Sequence, residues 1–479
     1  MNSHPIFACA TSLERSALHV LRLSGSGCSK LLMPSLFIPK STHKNFAGPE
    51  PHSRFPYARY LEIRNSSGKI LDDCMVVFFQ SPASYSGEET IEITTHGNIL
   101  ITHSIMSHLR SLGFQDAKPG EFTQRAFLNG KLDLTQAEAV NQIIHSDTYA
   151  GIELAREVNS GILAKHTGTL KNDITTVLSY LEAHIDFGQD DVGEFNSDDF
   201  LPQLLSLELK LKTLSNSYEA GLKLREGVRL AIVGSPNAGK SSLYNALLGS
   251  ERAIVTSIAG TTRDILEDRL IIKGCDYVLL DTAGLRLTAD EVEKIGIERA
   301  KEAVNTAHVI CLVIDSTFLA GNLESIKNHI WNEISFIGKS FFDNKPLIIA
   351  FSKSDIHENI SDKQKSDIAR IFDGSSCISF NRLELDELKN TLVNIHKSLG
   401  TEIRAATAGA VLISQRQKDK SLKALNAVND AVNLVNTNDF PEKIASVLNY
   451  AKDQLEEIVG EISLDSVLDS VFSSFCIGK

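Results

Sequence analysis

The residues best suited to chemistry in this chain lie between Val228 and Ser241, where the apolar stretch VRLAIVG is followed by SPNAGKS. Four residues fit the phosphate-loop spacing G-x-x-x-x-G-K-[ST]: Gly234, Gly239, Lys240 and Ser241. The glycines let the backbone aim N–H groups at phosphate oxygens, and the helix that opens near Lys240 turns its positive dipole end toward them. Lys240 can reach the β- and γ-phosphates, and the Ser241 hydroxyl can ligate Mg²⁺. This stretch predicts a nucleotide site.

Three more motifs occur in the order that a GTPase needs: GTTRD (260–264), DTAG (281–284) and SKSD (352–355). Asp281 can hold Mg²⁺ through water, the Gly284 N–H can meet the γ-phosphate, and Thr262 can complete the Mg²⁺ shell as a switch threonine. Asp355 can accept two hydrogen bonds from guanine, and the Lys353 side chain can lie along the ring. Each tetrad alone is weak, but in this order they predict a GTPase.

Two positions depart from the usual GTPase pattern. Residue 285 is leucine, where small signalling GTPases commonly have the glutamine that orients the attacking water, so another group must do this. Residue 352 is serine, where asparagine is usual in the guanine motif. Serine can keep only part of that polar contact, and we expect weaker nucleotide binding with guanine specificity retained by Asp355.

The elements that position these motifs predict an α/β plus α chain. Strand-like runs at 228–233, 277–281, 309–315 and 347–351 alternate with helices, which indicates a doubly wound, largely parallel sheet. Helical stretches precede and follow it, so we expect a Ras-like G domain inserted into a helical domain. The predicted domains are 1–120 (N-terminal α/β), 121–224 (helical, first part), 225–399 (G domain) and 400–479 (helical, second part).

Local patterns support these helices. Residues at spacings of three and four form an apolar stripe that predicts a bundle core: Leu170, Ile174, Val177, Leu181 and Ile185. A loop from Gly120 is predicted to become helical near Thr135, with Thr135 and Glu138 as a capping box.

Composition limits the class of protein. The chain has 479 residues, 42% hydrophobic and 23% charged, as an ordinary globular protein has. No apolar run reaches membrane-spanning length and the N-terminus lacks a targeting pattern, so we expect a cytoplasmic protein. The formal charge of -12 argues against strong autonomous RNA binding, so a partner would supply much of the grip on an RNA substrate. Seven scattered cysteines suit a reducing compartment.

The chain resembles the MnmE (TrmE) family of tRNA-modification GTPases over nearly its full length. The matching segments include LRLSG (21–25), YSGEETIEITTHG (85–97), PGEFTQRAFLNGKLDLTQAEAV (119–140), GSPNAGKSSLYNALLG (234–249), IAGTTRD (258–264), DTAGLR (281–286), VEKIGIERA (292–300) and FCIGK (475–479). The GTPase motifs alone would not separate this family from its relatives, but the N-terminal segment and the final C-I-G-K would.

The resemblance implies a function. Family members hydrolyse GTP and, with the FAD-containing partner MnmG, add a carboxymethylaminomethyl or aminomethyl group at C5 of the wobble uridine of certain tRNAs. Their N-terminal domain forms a homodimer and binds 5-formyltetrahydrofolate or methylene-tetrahydrofolate. The family's folate contacts correspond to Arg22, Glu92, Lys131 and Lys479.

The resemblance also implies the nucleotide contacts. These are Asn237, Ala238, Gly239, Lys240, Ser241, Ser242, Thr256, Ser257, Ile258, Ala259, Gly260, Thr261, Thr262, Asp281, Thr282, Ala283, Gly284, Ser352, Lys353, Asp355 and Ser379. Mg²⁺ is assigned to Ser241 and Thr262. K⁺ is assigned to Asn237, Thr256, Ile258 and Thr261, and it neutralises transition-state charge in place of an arginine finger. Lys240 and Glu293 are the catalytic residues, Glu293 positioning the water that Leu285 cannot.

Two alternative functions and the role of Cys476 remain open from the sequence. A ribosome-assembly GTPase would require a basic RNA-binding module, which the acidic balance disfavours. A folate-dependent one-carbon transferase with a vestigial G domain is disfavoured by the intact Lys240 and Ser241. Cys476 fits either a catalytic thiol or a small residue packed beside the folate pocket, since Gly478 and Lys479 suit a prenylation box poorly.

Overall fold

The computed structural model describes residues 4–39, 56–187, 195–196, 199–250, 267–280, 301–318, 323–337, 345–353, 361–372, 375–379, 385–407, 409–437, 439–462 and 465–479. The chain divides into two compact units. The first comprises Met1–Asn141, Asn159–Glu208 and Asp419–Lys479, and the second comprises Gln142–Val158 and Leu209–Lys418.

Strands and helices follow one another in an order typical of a mixed α/β chain with long helical segments. The strands are β1 Ile6–Cys9, β2 Leu18–Ser24, β3 Leu36–Phe37, β4 Tyr57–Arg64, β5 Ile70–Phe79, β6 Thr90–His96, β7 Gln115–Asp116, β8 Val228–Val233, β9 Glu267–Ile272, β10 Cys275–Leu280, β11 Val309–Asp315, β12 Leu347–Ser352 and β13 Ser376–Ser379. The helices are α1 Cys28–Leu32, α2 Ile99–Ser111, α3 Glu121–Leu128, α4 Leu134–His145, α5 Tyr149–Asn159, α6 Ile162–Asp186, α7 Leu201–Glu226, α8 Lys240–Ser250, α9 Leu323–Ile337, α10 Asp362–Ile371, α11 Asp386–Thr407, α12 Gln415–Asn436, α13 Pro441–Val459 and α14 Asp465–Ser473. None of the described helices is long and apolar enough to cross a membrane.

The first unit contains a seven-stranded sheet in the order β3-β4-β5-β6-β2-β1-β7. Its pairs are antiparallel except β1–β7. Apolar residues alternate along the strands, so one face buries Leu21, Leu23, Ile91 and Ile93 together with Ile105 of α2. Helix α2 begins where the Asn98 side chain accepts a hydrogen bond from the Leu100 N–H at 2.9 Å. The predicted N-terminal α/β architecture is present.

The predicted apolar stripe of α6 is buried except at its end. Leu170, Ile174, Val177 and Leu181 are at most 1% exposed, and α6 packs against α13. Ile185, predicted as part of the stripe, is 37% exposed in the last turn of the helix.

Two local predictions between residues 120 and 138 were wrong. Residues 121–128, expected in a loop, form α3, because Gly120 starts the helix in a left-handed conformation and Phe122 and Ala126 are buried. Helix α4 is capped by Asp133 and Gln136 rather than by Thr135 and Glu138. The Asp133 carboxylate accepts from the Gln136 N–H at 2.9 Å, and the Gln136 side chain accepts from the Asp133 N–H at 2.9 Å.

The second unit contains a six-stranded sheet in the order β13-β12-β11-β8-β10-β9. All its pairs are parallel except β9–β10, which confirms the prediction of a largely parallel sheet. Strands β8, β10 and β11 are buried on both faces along almost their whole length, and so apolar residues predominate in them.

Residues 147–149 hold the β9–β10 hairpin of this unit. The Tyr149 N–H donates to the Asp276 carboxylate at 3.0 Å, and Arg269 pairs with Asp147 at 2.8 Å. Burial raises the pKa of Asp276, while the backbone N–H groups of Tyr149 and Ala150 and the charge of Arg269 oppose this. The hairpin is therefore joined to the start of α5 by both a buried acid and a surface ion pair.

His308 makes a neutral connection between the starts of β8 and β11. Its Nδ1 accepts from the Arg229 N–H at 3.0 Å, and its backbone N–H donates to the Arg229 carbonyl at 2.8 Å. Burial, together with the charges of Lys223, Arg229 and Lys345, lowers the pKa of His308 to about 4. The imidazole must stay neutral to accept the hydrogen bond.

We predict acid destabilisation through His308. The unfolded imidazole titrates near pH 6.5 and the folded one near pH 4, so the unfolded state binds more protons as pH falls through this window. Stability present above pH 6.5 should be lost toward pH 4, by about 2 kcal/mol at pH 5. His308→Gln, which keeps an acceptor but does not titrate, should lose less stability between pH 7 and pH 5 in denaturant titrations. The exposed-residue variant His145→Gln should follow the wild type; equal acid sensitivity of all three proteins would contradict the assignment.

Candidate functional site

The phosphate loop lies at the carboxyl end of β8, at the point where the strand order of the second sheet reverses. Strand β8 has β10 on one side and β11 on the other, all parallel. Ligands of open α/β sheets bind in the crevice at such a position. The loop connects β8 to α8, which is anchored by the buried Leu243 and Leu247.

The glycines of the loop are required by neighbouring strands. Gly234 has φ +148°, and a Cβ placed there would lie 2.2 Å from the Val313 carbonyl oxygen of β11. Gly239 has φ +102°, and a Cβ there would lie 3.2 Å from the Ser352 Cβ of β12. The sequence explains these glycines by close approach to phosphate, but the protein alone already excludes a side chain at residue 234.

The first charged group of α8 is held over this loop. Lys240 Nζ donates to the carbonyl oxygens of Gly234 at 2.9 Å and Ser235 at 2.7 Å. Ser241 follows it in the first helical turn with an exposed side chain, and Ser242 is half-buried. Asn237 is exposed and has φ +64°, in the left-handed region that asparagine tolerates. A cation, a hydroxyl, an amide and a helix N-terminus therefore meet at one loop, as phosphate and Mg²⁺ binding require.

The start of the SKSD motif lies beside the loop, at the ends of β12 and β11. Ser352 is 2% exposed, and its hydroxyl donates to the Ala238 carbonyl of the loop at 2.6 Å. Lys353, with φ +58°, forms an ion pair with the buried Asp315. Asp315 also accepts from the Thr317 N–H at 3.0 Å and the Thr317 hydroxyl at 2.7 Å. Burial opposes ionisation of Asp315, but the bonds from Lys353 and Thr317 hold its pKa below the usual range.

Asp315 is a site residue that the motif search missed. The only signal in the sequence is an acid at the end of the apolar run VICLVID, a position where most acids would be solvated. Ser379 ends β13 and pairs in register with Phe351 of β12, so it lies at the same edge of the sheet. Its N–H donates to Glu387 at 3.3 Å.

Many residues predicted to bind the nucleotide or to act in catalysis lie outside the described residues. These are Thr256, Ser257, Ile258, Ala259, Gly260, Thr261, Thr262, Asp281, Thr282, Ala283, Gly284, Glu293 and Asp355. Among the residues that are described, no group of three or more His, Cys, Asp and Glu side chains could hold a metal ion.

A second polar cluster in the first unit joins distant parts of the chain. Arg22 and Glu92 face each other on β2 and β6, with Arg22 Nε donating to Glu92 at 2.9 Å. Arg22 also donates to the Gly478 carbonyl at 3.2 Å, and the Phe122 N–H donates to the Lys479 carbonyl at 3.2 Å. Gly478, with φ +95°, has no room for a side chain, since a Cβ would lie 2.8 Å from Ala10 Cα. Three of the four predicted folate residues, Arg22, Glu92 and Lys479, therefore converge.

Tyr85 lies between the two cations of this cluster. Its ring centroid is 5.6 Å from the Arg22 guanidinium and 5.8 Å from Lys479 Nζ. Burial, followed by the charge of Arg22, lowers the pKa of Lys479, while Glu92 opposes this. The sequence analysis did not select Tyr85, whose only signal is its place in the family-matching segment 85–97. Lys131, the fourth predicted folate residue, instead donates to the carbonyl of Pro82 at 3.0 Å, shortly before Tyr85 in the chain.

Cys476 has an exposed side chain and forms no disulfide. Both interpretations of Cys476, a catalytic thiol and a small residue beside the folate pocket, stay predictions.

Comparison with known proteins identifies the relatives of this chain. A family model described as "GTP-binding protein TrmE N-terminus" matches residues 5–131, and one described as "MnmE helical domain" matches residues 134–476. A protein of Aquifex aeolicus named tRNA modification GTPase MnmE is 35% identical over 99% of this chain and 99% of its own. The chain belongs to the MnmE family. A Flavobacterium johnsoniae MnmE is 36% identical over 100% of both chains.

MnmE membership makes the protein a GTP hydrolase in tRNA modification. The interpretation as a one-carbon transferase with a vestigial G domain is therefore wrong. The process in which this GTPase acts is tRNA modification rather than ribosome assembly. A solved structure of an Aquifex aeolicus Era variant bound to GDP·AlF4⁻ is 24% identical over 42% of this chain and 67% of that chain, with a TM-score of 0.26. That likeness carries no weight in the MnmE assignment.

We predict that Gly234→Ala destabilises the phosphate loop. The added Cβ would collide with the Val313 carbonyl and strain the backbone, which should lower the free energy of unfolding by about 2 kcal/mol and weaken GTP binding. Denaturant titration and equilibrium nucleotide binding measure both effects.

Gly249→Ala is the matched control, because Gly249 lies in α8 with nothing within 4 Å of its added Cβ. It should be neutral or stabilising by up to about 1 kcal/mol. A Gly234→Ala protein as stable as Gly249→Ala would show that the loop does not need this close approach.

Proposed function

We propose that this protein is a K⁺-activated GTPase that, with the FAD-containing protein MnmG, adds a carboxymethylaminomethyl or aminomethyl group at C5 of the wobble uridine of certain tRNAs. The observation that carries the proposal is a similarity to MnmE proteins over the whole chain, combined with a phosphate loop whose shape its own strands fix. The formal charge of -12 favours a partner that supplies much of the grip on tRNA.

In this proposal the phosphate loop binds the nucleotide and the metal ions. Lys240 contacts the β- and γ-phosphates, while Ser241 and Thr262 ligate Mg²⁺ and Asp281 holds it through water. The exposed Ser241 side chain and the Lys240 ammonium at the loop fit these roles. The other nucleotide contacts are those assigned by the resemblance, with Ser352 acting through its hydrogen bond to the loop carbonyl of Ala238.

K⁺ would be held by Asn237 together with Thr256, Ile258 and Thr261. The exposed amide of Asn237 supplies an oxygen ligand of the kind that hard cations prefer, and its left-handed backbone places it at the bend of the loop. When bound, the ion supplies positive charge where an arginine finger would act. Glu293 positions the attacking water, which Leu285 cannot do.

The guanine base would be recognised by Asp355 and covered by the Lys353 side chain. The ion pair with the buried Asp315 holds Lys353 at the strand ends beside the loop, which supports this role. Ser379 lies at the same edge of the sheet.

A tetrahydrofolate carrying a one-carbon unit would bind at the second cluster, through Arg22, Glu92, Lys131 and Lys479. Its carboxylates suit the two cations, its pterin can hydrogen-bond to the Glu92 carboxylate, and we add Tyr85 as a ring for stacking. The half-buried Lys479, next to Arg22, favours an anionic ligand. Cys476 remains a candidate thiol near this cluster.

We propose the domains as predicted: residues 1–120, 121–224 and 400–479 around a G domain at 225–399. A helical-domain match spanning 134–476, on both sides of the parallel sheet, supports the insertion. We further propose a cytoplasmic homodimer whose two G domains meet during hydrolysis, with no membrane association.

We predict that GTP turnover is faster in K⁺ than in Na⁺ at equal ionic strength. Asn237 and the carbonyl ligands select the larger ion, and Glu293→Ala should lose tenfold or more in kcat while retaining nucleotide binding. Steady-state phosphate release measures the turnover in the two salts and the kcat of the Glu293→Ala variant. Equal rates in the two salts would contradict the potassium mechanism.

We also predict that Arg22→Ala disables the proposed folate site and leaves the GTPase site active. It removes the contacts to Glu92 and Gly478, so folate binding and the wobble modification in a complemented deletion strain should be lost, while K⁺-stimulated GTP hydrolysis by the purified protein persists. Folate titration measures the folate binding, and tRNA nucleoside analysis measures the wobble modification. Arg110→Ala, which breaks a surface pair with Asp116, is the control and should retain all activities. Unchanged tRNA in the deletion strain itself would contradict the assignment.

A further inference from the structure

Ser352 uses its side chain inside the protein. It ends β12, it is 2% exposed, and its hydroxyl lies 2.6 Å from the Ala238 carbonyl oxygen and 3.3 Å from that of Ile314. Both neighbours are acceptors only, so the hydroxyl proton points to one of them, and the shorter contact is with the phosphate loop. The hydroxyl thereby connects the guanine motif to the loop.

The number of hydrogen-bond donors at residue 352 decides whether its side chain can also bond the nucleotide base. An asparagine amide has two N–H donors, so it can bond a loop carbonyl and still give a hydrogen to a base. A serine has one donor, and Ser352 gives it to Ala238. At this position the chain therefore keeps the internal contact and has no hydrogen left for the nucleotide.

The guanine atoms affected can be named. Guanine presents N–H donors on its Watson–Crick edge, which suit Asp355, and the acceptors N7 and O6 on its major-groove edge. N7 lies on the five-membered ring, away from the N–H donors that suit Asp355, so its recognition needs a separate hydrogen-bond donor. The neighbouring Lys353 is held by the buried Asp315.

Resting on the proposed GTPase function, we propose that Ser352 is a positioning residue that ties the guanine motif to the phosphate loop and leaves guanine N7 unread, so that the site accepts 7-deazaguanine nucleotides as well as natural ones.

Calorimetric titration of the full chain with GDP and with 7-deaza-GDP, in Mg²⁺, tests this. The wild type should bind the two within twofold. Ser352→Ala should weaken both about five- to thirtyfold and equally, because the loop carbonyl loses its donor while the base loses nothing. Ser366→Ala is the matched control: its serine hydroxyl bonds within α10, to the Asp362 carbonyl, and both affinities should stay unchanged.

Ser352→Asn adds the missing donor, so the folded variant should prefer GDP over 7-deaza-GDP by fivefold or more. A wild type that binds 7-deaza-GDP tenfold more weakly, or a Ser352→Ala change that affects only GDP, would overturn the inference. If GDP binds but 7-deaza-GDP does not, only this inference fails. If neither binds, the proposed GTPase function fails with it.

Discussion

The shape of the nucleotide site depends on the close approach of the phosphate loop to the ends of two strands. Gly234 leaves no space for a Cβ against the Val313 carbonyl, and Gly239 lies against Ser352. The Ser352 hydroxyl then bonds the carbonyl of Ala238, which lies between these two glycines in the chain. Since these contacts are made within the protein, the loop has its curvature before any nucleotide arrives, and binding spends little free energy on ordering it.

Charges on the site are organised by the same strand ends. Lys240 is held by loop carbonyls, and Lys353 is held by Asp315, which is buried and satisfied on its other oxygen by Thr317. Burial alone would favour a neutral Asp315, but hydrogen bonds from Lys353 and Thr317 keep it ionised. Both cations therefore meet a nucleotide from fixed positions, which favours recognition by geometry as well as by charge.

Some of this could be predicted from the sequence and some could not. Strands β8 and β11 are mostly buried and apolar, so their bounds are clear in the sequence, and the phosphate-loop spacing locates Lys240 and Ser241. Helix α3 was missed because its buried face includes the polar Thr123 and Arg125, which only tertiary partners make favourable. The cap of α4 was misplaced because Asp133 and Thr135 are both good capping residues, and the sequence does not say which one the chain uses.

Contacts between residues that are distant in the chain set the other limit on prediction from the sequence. Asp315 and Tyr85 look ordinary in sequence, and their roles depend on Lys353 and on Arg22 with Lys479, which the fold brings to them. The glycine at residue 478 is explained by its positive φ and by Cys9 and Ala10, which lie within 3.0 Å of the position a Cβ would take.

The contact between Arg22 and Gly478 also fixes when the second site can exist, because these residues are 456 positions apart in the chain. At roughly 5–20 residues per second, a ribosome needs roughly 20–90 s to make the intervening chain. During this time the seven-stranded sheet can fold, but Arg22 lacks the carbonyl that Gly478 supplies. A chain cut short by even its last two residues would carry an intact sheet and phosphate loop and still leave Arg22 without its carbonyl partner. The cluster around Arg22 is therefore complete only once Gly478 has joined the folded sheet.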